Sequence, residues 1–119
     1  VARSNLISHK TVEEFWKPWP IVLEKGSRFR LRFVRLSRAR KYMAYWGGGI
    51  YTIEDCYYRI KERDWMGKRH QIESAARHYS FDQPTVIVNK YGIVIDGNHR
   101  LLALIQKKYK GLIMVLEQT

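Results

Sequence analysis

The sequence predicts an α+β domain, a small mixed sheet with helices packed on it. Three patterns predict it. Arg28, Arg30 and Arg32 alternate with Phe29, Leu31 and Phe33, the period-two signature of a strand with one cationic and one apolar face. Thr85–Val88 and residues 92–95 are short β-branched runs around Asn89-Lys90-Tyr91 and read as a hairpin. Residues 53–64, 68–79 and 99–108 carry apolar side chains at helical spacing. The resulting order is β, α, α, β, β, α, β.

Residues 1–27 are expected to form an N-terminal extension packed on a domain of residues 28–119. In that extension, Thr11-Val12-Glu13-Glu14 has the spacing of a capping box, and Pro18 and Pro20 restrict the helix it opens to about one turn. The first strand runs from Arg28 to about Leu36. Its phase slips at Val34-Arg35-Leu36, which reads as a bulge or the end of the ladder. Residues 37–51 read as a loop holding Tyr42, Tyr45, Trp46 and Gly47-Gly48-Gly49.

Thr52 caps the next helix, with Asp55 in its first turn and Ile53, Tyr57 and Ile60 on one face. Gly67 separates it from a second helix whose apolar side holds Ile72, Ala75, Ala76 and Tyr79. A loop over 80–84 leads to the strand pair, with Asp82 as a turn former. The last helix starts near His99 with Asn98 as its N-cap, and Leu101, Leu102, Leu104 and Ile105 form its apolar side. Gly111 is expected to stop it before a strand over 112–116.

The chain has 119 residues, a length for one domain, and its 45% hydrophobic content suffices for a core. No run of about 18 apolar residues exists to span a membrane, so no membrane association is expected. The single cysteine, Cys56, forms no internal disulfide and excludes a cysteine-based zinc site, which points to a reducing, cytoplasmic setting. The formal net charge of +11 points to polyanionic partners. Eight basic residues and no acid fall within residues 25–41. Arg28, Arg30 and Arg32, with Arg38, Arg40 and Lys41 beyond them, are the candidate nucleic-acid contacts. Three same-side arginines without a carboxylate partner repel one another unless a phosphate-rich ligand lies across them. The plain alternative is a charged edge strand that discourages edge-to-edge pairing.

The sharpest motif is Ile95-Asp96-Gly97-Asn98-His99-Arg100, which joins a strand to a helix. Glycine permits the tight turn, and free amides at a helix start favour an anion. His99 and Arg100 put positive charge in the first turn, where it is unfavourable unless an anion is close. Asp96 is placed to orient His99, to receive an arginine, or to hold a metal with a nucleotide. An ordinary capped turn with a surface arginine accounts for the same residues without a ligand. Trp16, Trp19, Trp46 and Trp65 read as core anchors, with Tyr42, Tyr45 and Trp46 as the alternative base-stacking set.

Residues 94–104, Val-Ile-Asp-Gly-Asn-His-Arg-Leu-Leu-Ala-Leu, resemble the ParB/sulfiredoxin superfamily signature, a strand followed by D-G-x-H-R and an apolar helix. Gln83-Pro84-Thr85-Val86-Ile87-Val88 resembles the Q-P strand ahead of that motif, and residues 110–116 the strand after it. The likeness covers about residues 52–117 and extends back towards Arg28. It implies a loop that cradles the phosphates of a nucleoside triphosphate, ATP or CTP, with Mg²⁺. His99 and Arg100 would contact phosphate, Gly97 and Asn98 would supply loop backbone, and Asp96 would orient the loop or assist the metal.

Members of this superfamily act as CTP-dependent partition clamps, ATP-dependent sulfinic acid reductases, free-serine kinases and proposed plasmid or phage nucleases. Sulfiredoxin uses a cysteine where this chain has Asn98, which excludes sulfinic acid reduction. Partition proteins carry an arginine-rich loop and a downstream helix-turn-helix domain, for which these residues are expected to leave no room. The implied function is a nucleotide- and phosphate-binding domain acting on or with nucleic acid. As a nuclease, it would use Asp96 and His99 for metal and proton transfer and Arg100 for developing charge. Two alternatives stand beside it. One is an ATP-dependent kinase of a small hydroxylated molecule, with Glu54 or Asp55 as base. The other is a non-enzymatic, nucleotide-gated interaction module of a plasmid or phage.

Overall fold

Five consecutive residues, Leu101, Leu102, Ala103, Leu104 and Ile105, are buried, so the helix that carries them is apolar on all sides. In the computed structural model, which describes residues 5–8, 27–78 and 84–119, the other elements assemble around that helix. The strands are β1 (Asn5–Ser8), β2 (Arg28–Arg35), β3 (Met43–Trp46), β4 (Gly49–Thr52), β5 (Thr85–Val88), β6 (Val94–Asp96) and β7 (Leu112–Gln118). The helices are α1 (Leu36–Ala39), α2 (Ile53–Arg63), α3 (Arg69–His78) and the central α4 (Asn98–Lys107), with a 3₁₀ turn at Trp65–Gly67. No helix among the described residues is long and apolar enough to cross a membrane.

The main sheet has the order β1-β2-β7-β5-β6, and β3 and β4 form a separate hairpin. The β5–β7 pair is parallel and the other pairs are antiparallel, so the sheet is mixed, in an α+β arrangement. The hairpin meets the sheet beside β6, where Met43 and Ile93 form a bridge and Met43 N donates to Gly92 O at 2.9 Å. β1 comes from the segment expected to be an extension and forms an edge of the sheet against β2. The capping-box residues 11–14, Pro18, Pro20, Asp82 and Gln83 lie outside the described residues.

The β2–β7 ladder runs without a slip from Phe29 opposite Gln118 to Arg35 opposite Leu112 and stops there, so of the two readings of residues 34–36 the structure bears out the end of the ladder and not a bulge. Continuous alternation puts Arg28, Arg30, Arg32 and Val34 on one face. Val34 joins Val86, Val88, Ile113 and Val115 in the core beneath the helices. The cationic residues therefore share the helix-covered face, towards its β2 side. The expected apolar face divides. Phe29 is fully buried, whereas Phe33 is 56% exposed. Pairing position, not residue type, separates the two phenylalanines.

Three further details depart from expectation. The presumed loop over 37–51 contains α1 and the β3–β4 hairpin, whose turn places Gly47 and Gly48 at φ +59° and +80°. Such a two-residue turn with both φ positive matches the twist of paired strands. The N-cap of α4 is Gly97, not Asn98. The helix ends at its expected place, about Lys108, but the residue that stops it is Lys108 itself, in the left-handed region at φ 56°, and not Gly111. The cap of α2 follows the sequence: Thr52 Oγ1 accepts from Asp55 N at 3.0 Å.

Candidate functional site

The D-G-N-H-R turn is built by the close approach of α4 to β5. Gly97 has φ +111°, and a Cβ there would stand 2.6 Å from Val86 Cγ1. Backbone conformation and space therefore both require glycine. Leu101 N donates to Gly97 O at 2.9 Å, the first bond of the helix, and no side chain caps it. The amides of Asn98, His99 and Arg100 precede that bond, at the positive end of the helix dipole. Asp96 ends β6 opposite Ile87 and is half-buried. Asn98 is half-buried, and its Oδ1 is enclosed without a hydrogen-bond partner.

His99 and Arg100 engage different elements. Arg100 Nη1 donates to the Thr85 carbonyl and so ties the first turn of α4 to the start of β5. His99 Nε2 stands 3.1 Å from Lys68 Nζ, on the residue just before α3. An ammonium has only protons to give, so Nε2 accepts and the ring proton lies on Nδ1. Partial burial of the ring and then the Lys68 charge hold the imidazole below its usual range.

An aromatic wall supports this pair. Trp46 meets His99 edge to face at 5.2 Å and Trp65 at 6.5 Å, and Lys68 Nζ lies 5.2 Å from the Trp46 ring centre. Trp65 meets Tyr51 at 5.2 Å, and Arg59 covers the Tyr51 ring at 4.5 Å. Trp46, Tyr51 and Trp65 pack against the core, as does Tyr42. Tyr45 alone of the proposed stacking set stands clear, 67% exposed. Lys68 was not legible as a site residue. It lies 31 positions from His99, and only the packing of α3 against α4 brings the two together.

The basic stripe has a carboxylate partner, contrary to the sequence expectation. Arg32 Nη1 pairs with Glu117 Oε1 at 3.1 Å, and Arg40 Nε with Glu54 Oε1 at 2.8 Å. Arg28, Arg30, Arg38 and Lys41 are exposed. The strand order separates β2 from β6 by β7 and β5. Arginine stripe and turn are thus three interstrand steps apart, roughly 14 Å.

The carboxylates considered for a kinase base are also engaged: Glu54 by Arg40, and Asp55 by Arg59 at 3.1 Å. Cys56 is buried in the core, and burial pushes its thiol up to about 11, so it is not nucleophilic at neutral pH. No three His, Cys, Asp or Glu side chains among the described residues converge as a metal site. No protein-family model, curated protein or solved structure matches this chain.

Proposed function

We propose that this is a ParB/sulfiredoxin-type domain that binds phosphate groups of nucleotides or nucleic acid and acts on or with nucleic acid. The observation that carries this reading is the start of α4. An uncapped, glycine-led helix N-terminus is flanked by His99 and Lys68, and no carboxylate neutralises Lys68 or His99 among the described residues. Such a place favours an oxyanion. The net charge of +11 supports a polyanionic partner by long-range attraction.

The residue at this turn that suits Mg²⁺ is Asp96, the last of β6. Asp96 would supply one carboxylate and the ligand phosphates the remaining oxygens, the usual pattern for this ion. When bound, it would neutralise phosphate charge. Arg100 holds the turn in place through the Thr85 carbonyl, and His99 is neutral and able to accept a proton at Nε2 once Lys68 withdraws. Nuclease action would draw on that proton acceptor. The kinase reading has less support, because Glu54 and Asp55 are held by arginines.

Salt titration of DNA binding tests the proposal. Affinity should fall log-linearly with salt, and charge removal at Arg28 or Arg30 should each reduce the slope by about 1. A thermal-shift panel of nucleotides with and without Mg²⁺ tests the turn. Absent or salt-insensitive DNA binding, together with no nucleotide shift, would overturn it.

A further inference from the structure

Lys68, His99 and Trp46 come from three separate elements and meet at one point. The two nitrogens that face each other are both basic. The carboxylate nearest Lys68 in sequence, Asp64, is occupied: its Oδ1 accepts from Arg69 N at 2.9 Å. On the α3 side, Arg69 Nη2 donates to the Lys61 carbonyl, and Glu73 is held by Lys61 at 2.8 Å. On the α4 side, the Arg100 guanidinium engages Thr85 O. On β6, Asp96 ends the strand opposite Ile87. From the hairpin and the 3₁₀ turn, the groups presented are the indoles of Trp46 and Trp65. Lys68 is therefore the charge acting on His99, and it acts to keep the ring neutral.

We propose that Lys68 Nζ and His99 Nε2 form a two-point receptor for a terminal phosphate, a phosphomonoester dianion, walled by Trp46. The proposal rests on the phosphate reading above and names the kind of phosphate taken. In the free protein one cation is present, and the His99 lone pair already satisfies it. A phosphodiester brings one negative charge and has little reason to part the pair. A terminal phosphate brings nearly two at pH 7 and has three free oxygens. One oxygen can accept from Lys68 while another accepts from Nε2, which must then carry a proton. Binding a dianion therefore takes up one proton, which comes from solvent and stays on His99. Trp46 holds the lysine ammonium and the imidazole in register, since its ring faces both. The chemistry is that of a 5′-phosphorylated nucleic-acid end or of a free mononucleotide.

The test compares a single-stranded oligonucleotide carrying a 5′-phosphate with the same oligonucleotide carrying a 5′-hydroxyl. A nucleoside monophosphate serves as competitor, and the full chain is used throughout. The wild type should prefer the 5′-phosphate by about tenfold, the order of one charge-assisted hydrogen bond. Lys68→Met should abolish the preference and Lys68→Arg should retain part of it. Calorimetry in buffers of different ionisation enthalpy should show uptake of close to one proton. Full competition by the monophosphate supports the receptor and identifies a free nucleotide as its ligand; weak competition supports it and identifies a nucleic-acid end.

Equal affinity for the two oligonucleotides, unchanged by Lys68→Met, overturns the receptor and leaves the phosphate reading standing on diester contacts. Binding of neither oligonucleotide, with no response of His99 to inorganic phosphate, overturns both. Should Lys68→Met fail to fold, the wild-type His99 NMR titration decides. Its midpoint must rise when inorganic phosphate is added, and an unmoved midpoint overturns the receptor.

Discussion

Arg32 and Glu117 form a diagonal pair across β2 and β7. Arg32 sits opposite Val115 and Glu117 opposite Arg30, yet Arg32 Nη1 reaches Glu117 Oε1 at 3.1 Å. One carboxylate thus stands in the middle of the arginine stripe and lowers its field. Glu117→Gln should raise affinity for DNA and steepen its salt dependence by about one phosphate equivalent. Stability should change by no more than about 1 kcal/mol, because both side chains are partly exposed to water. Anisotropy titrations at several salt concentrations and urea melts check the two parts.

Gly97→Ala should destabilise the domain by about 1–3 kcal/mol, combining the strain of a side chain at positive φ with its contact on Val86. Chemical denaturation measures it. The same change at Gly48, which has positive φ but open space around it, should cost less.

Arg100 and His99 should separate in their effects. Arg100→Ala removes the donor to the Thr85 carbonyl and should lower stability by about 1–3 kcal/mol even without ligand. His99→Gln breaks no backbone tie and should leave the melting temperature of the free protein within a few degrees of wild type, while weakening nucleotide-induced stabilisation. Differential scanning calorimetry with and without nucleotide distinguishes them.

The pH dependence has a definite sign. The folded state depresses the His99 pKa, so the unfolded chain binds more protons near the unperturbed value of about 6.5. The stability linked to His99 is full above that value and is lost as pH falls through the lower folded value. Wild type should therefore lose more stability than His99→Gln between about pH 7.5 and 5.5. Lys68→Met should reduce that difference, since it removes one of the two causes of the shift. Thermal melts of the three proteins across this range check it.

What could be read in advance was what is local. Thr52 announced α2 because a hydroxyl bonding an amide three residues on needs no tertiary context. The β5–β6 hairpin was visible in its β-branched runs, and Asn89 Oδ1 closes it by accepting from Tyr91 N and Ile93 N, both at 2.9 Å. The β3–β4 hairpin did carry a signal, two glycines between short aromatic runs. A third glycine blurred it, because Gly49 belongs to the strand and only Gly47 and Gly48 make the turn. Gly97 rather than Asn98 became the cap because the contact with Val86 sets where the chain turns. The exposure of Phe33, the place of β1, the Arg32–Glu117 pair and the meeting of Lys68 with His99 all depend on partners distant in sequence. No window of neighbouring residues encodes them.

The bridge between Met43 and Ile93 bears on how the molecule lives at high concentration. β6 lies at one margin of the main sheet, where unpaired backbone groups would template a strand from another molecule. The small hairpin lays its own backbone there, with Met43 N on Gly92 O. A foreign strand reaching the Gly92–Ile93 end of that margin would meet the hairpin, which Trp46 packs against the core. The aromatic wall beside the candidate site thereby also shields that end of the sheet edge.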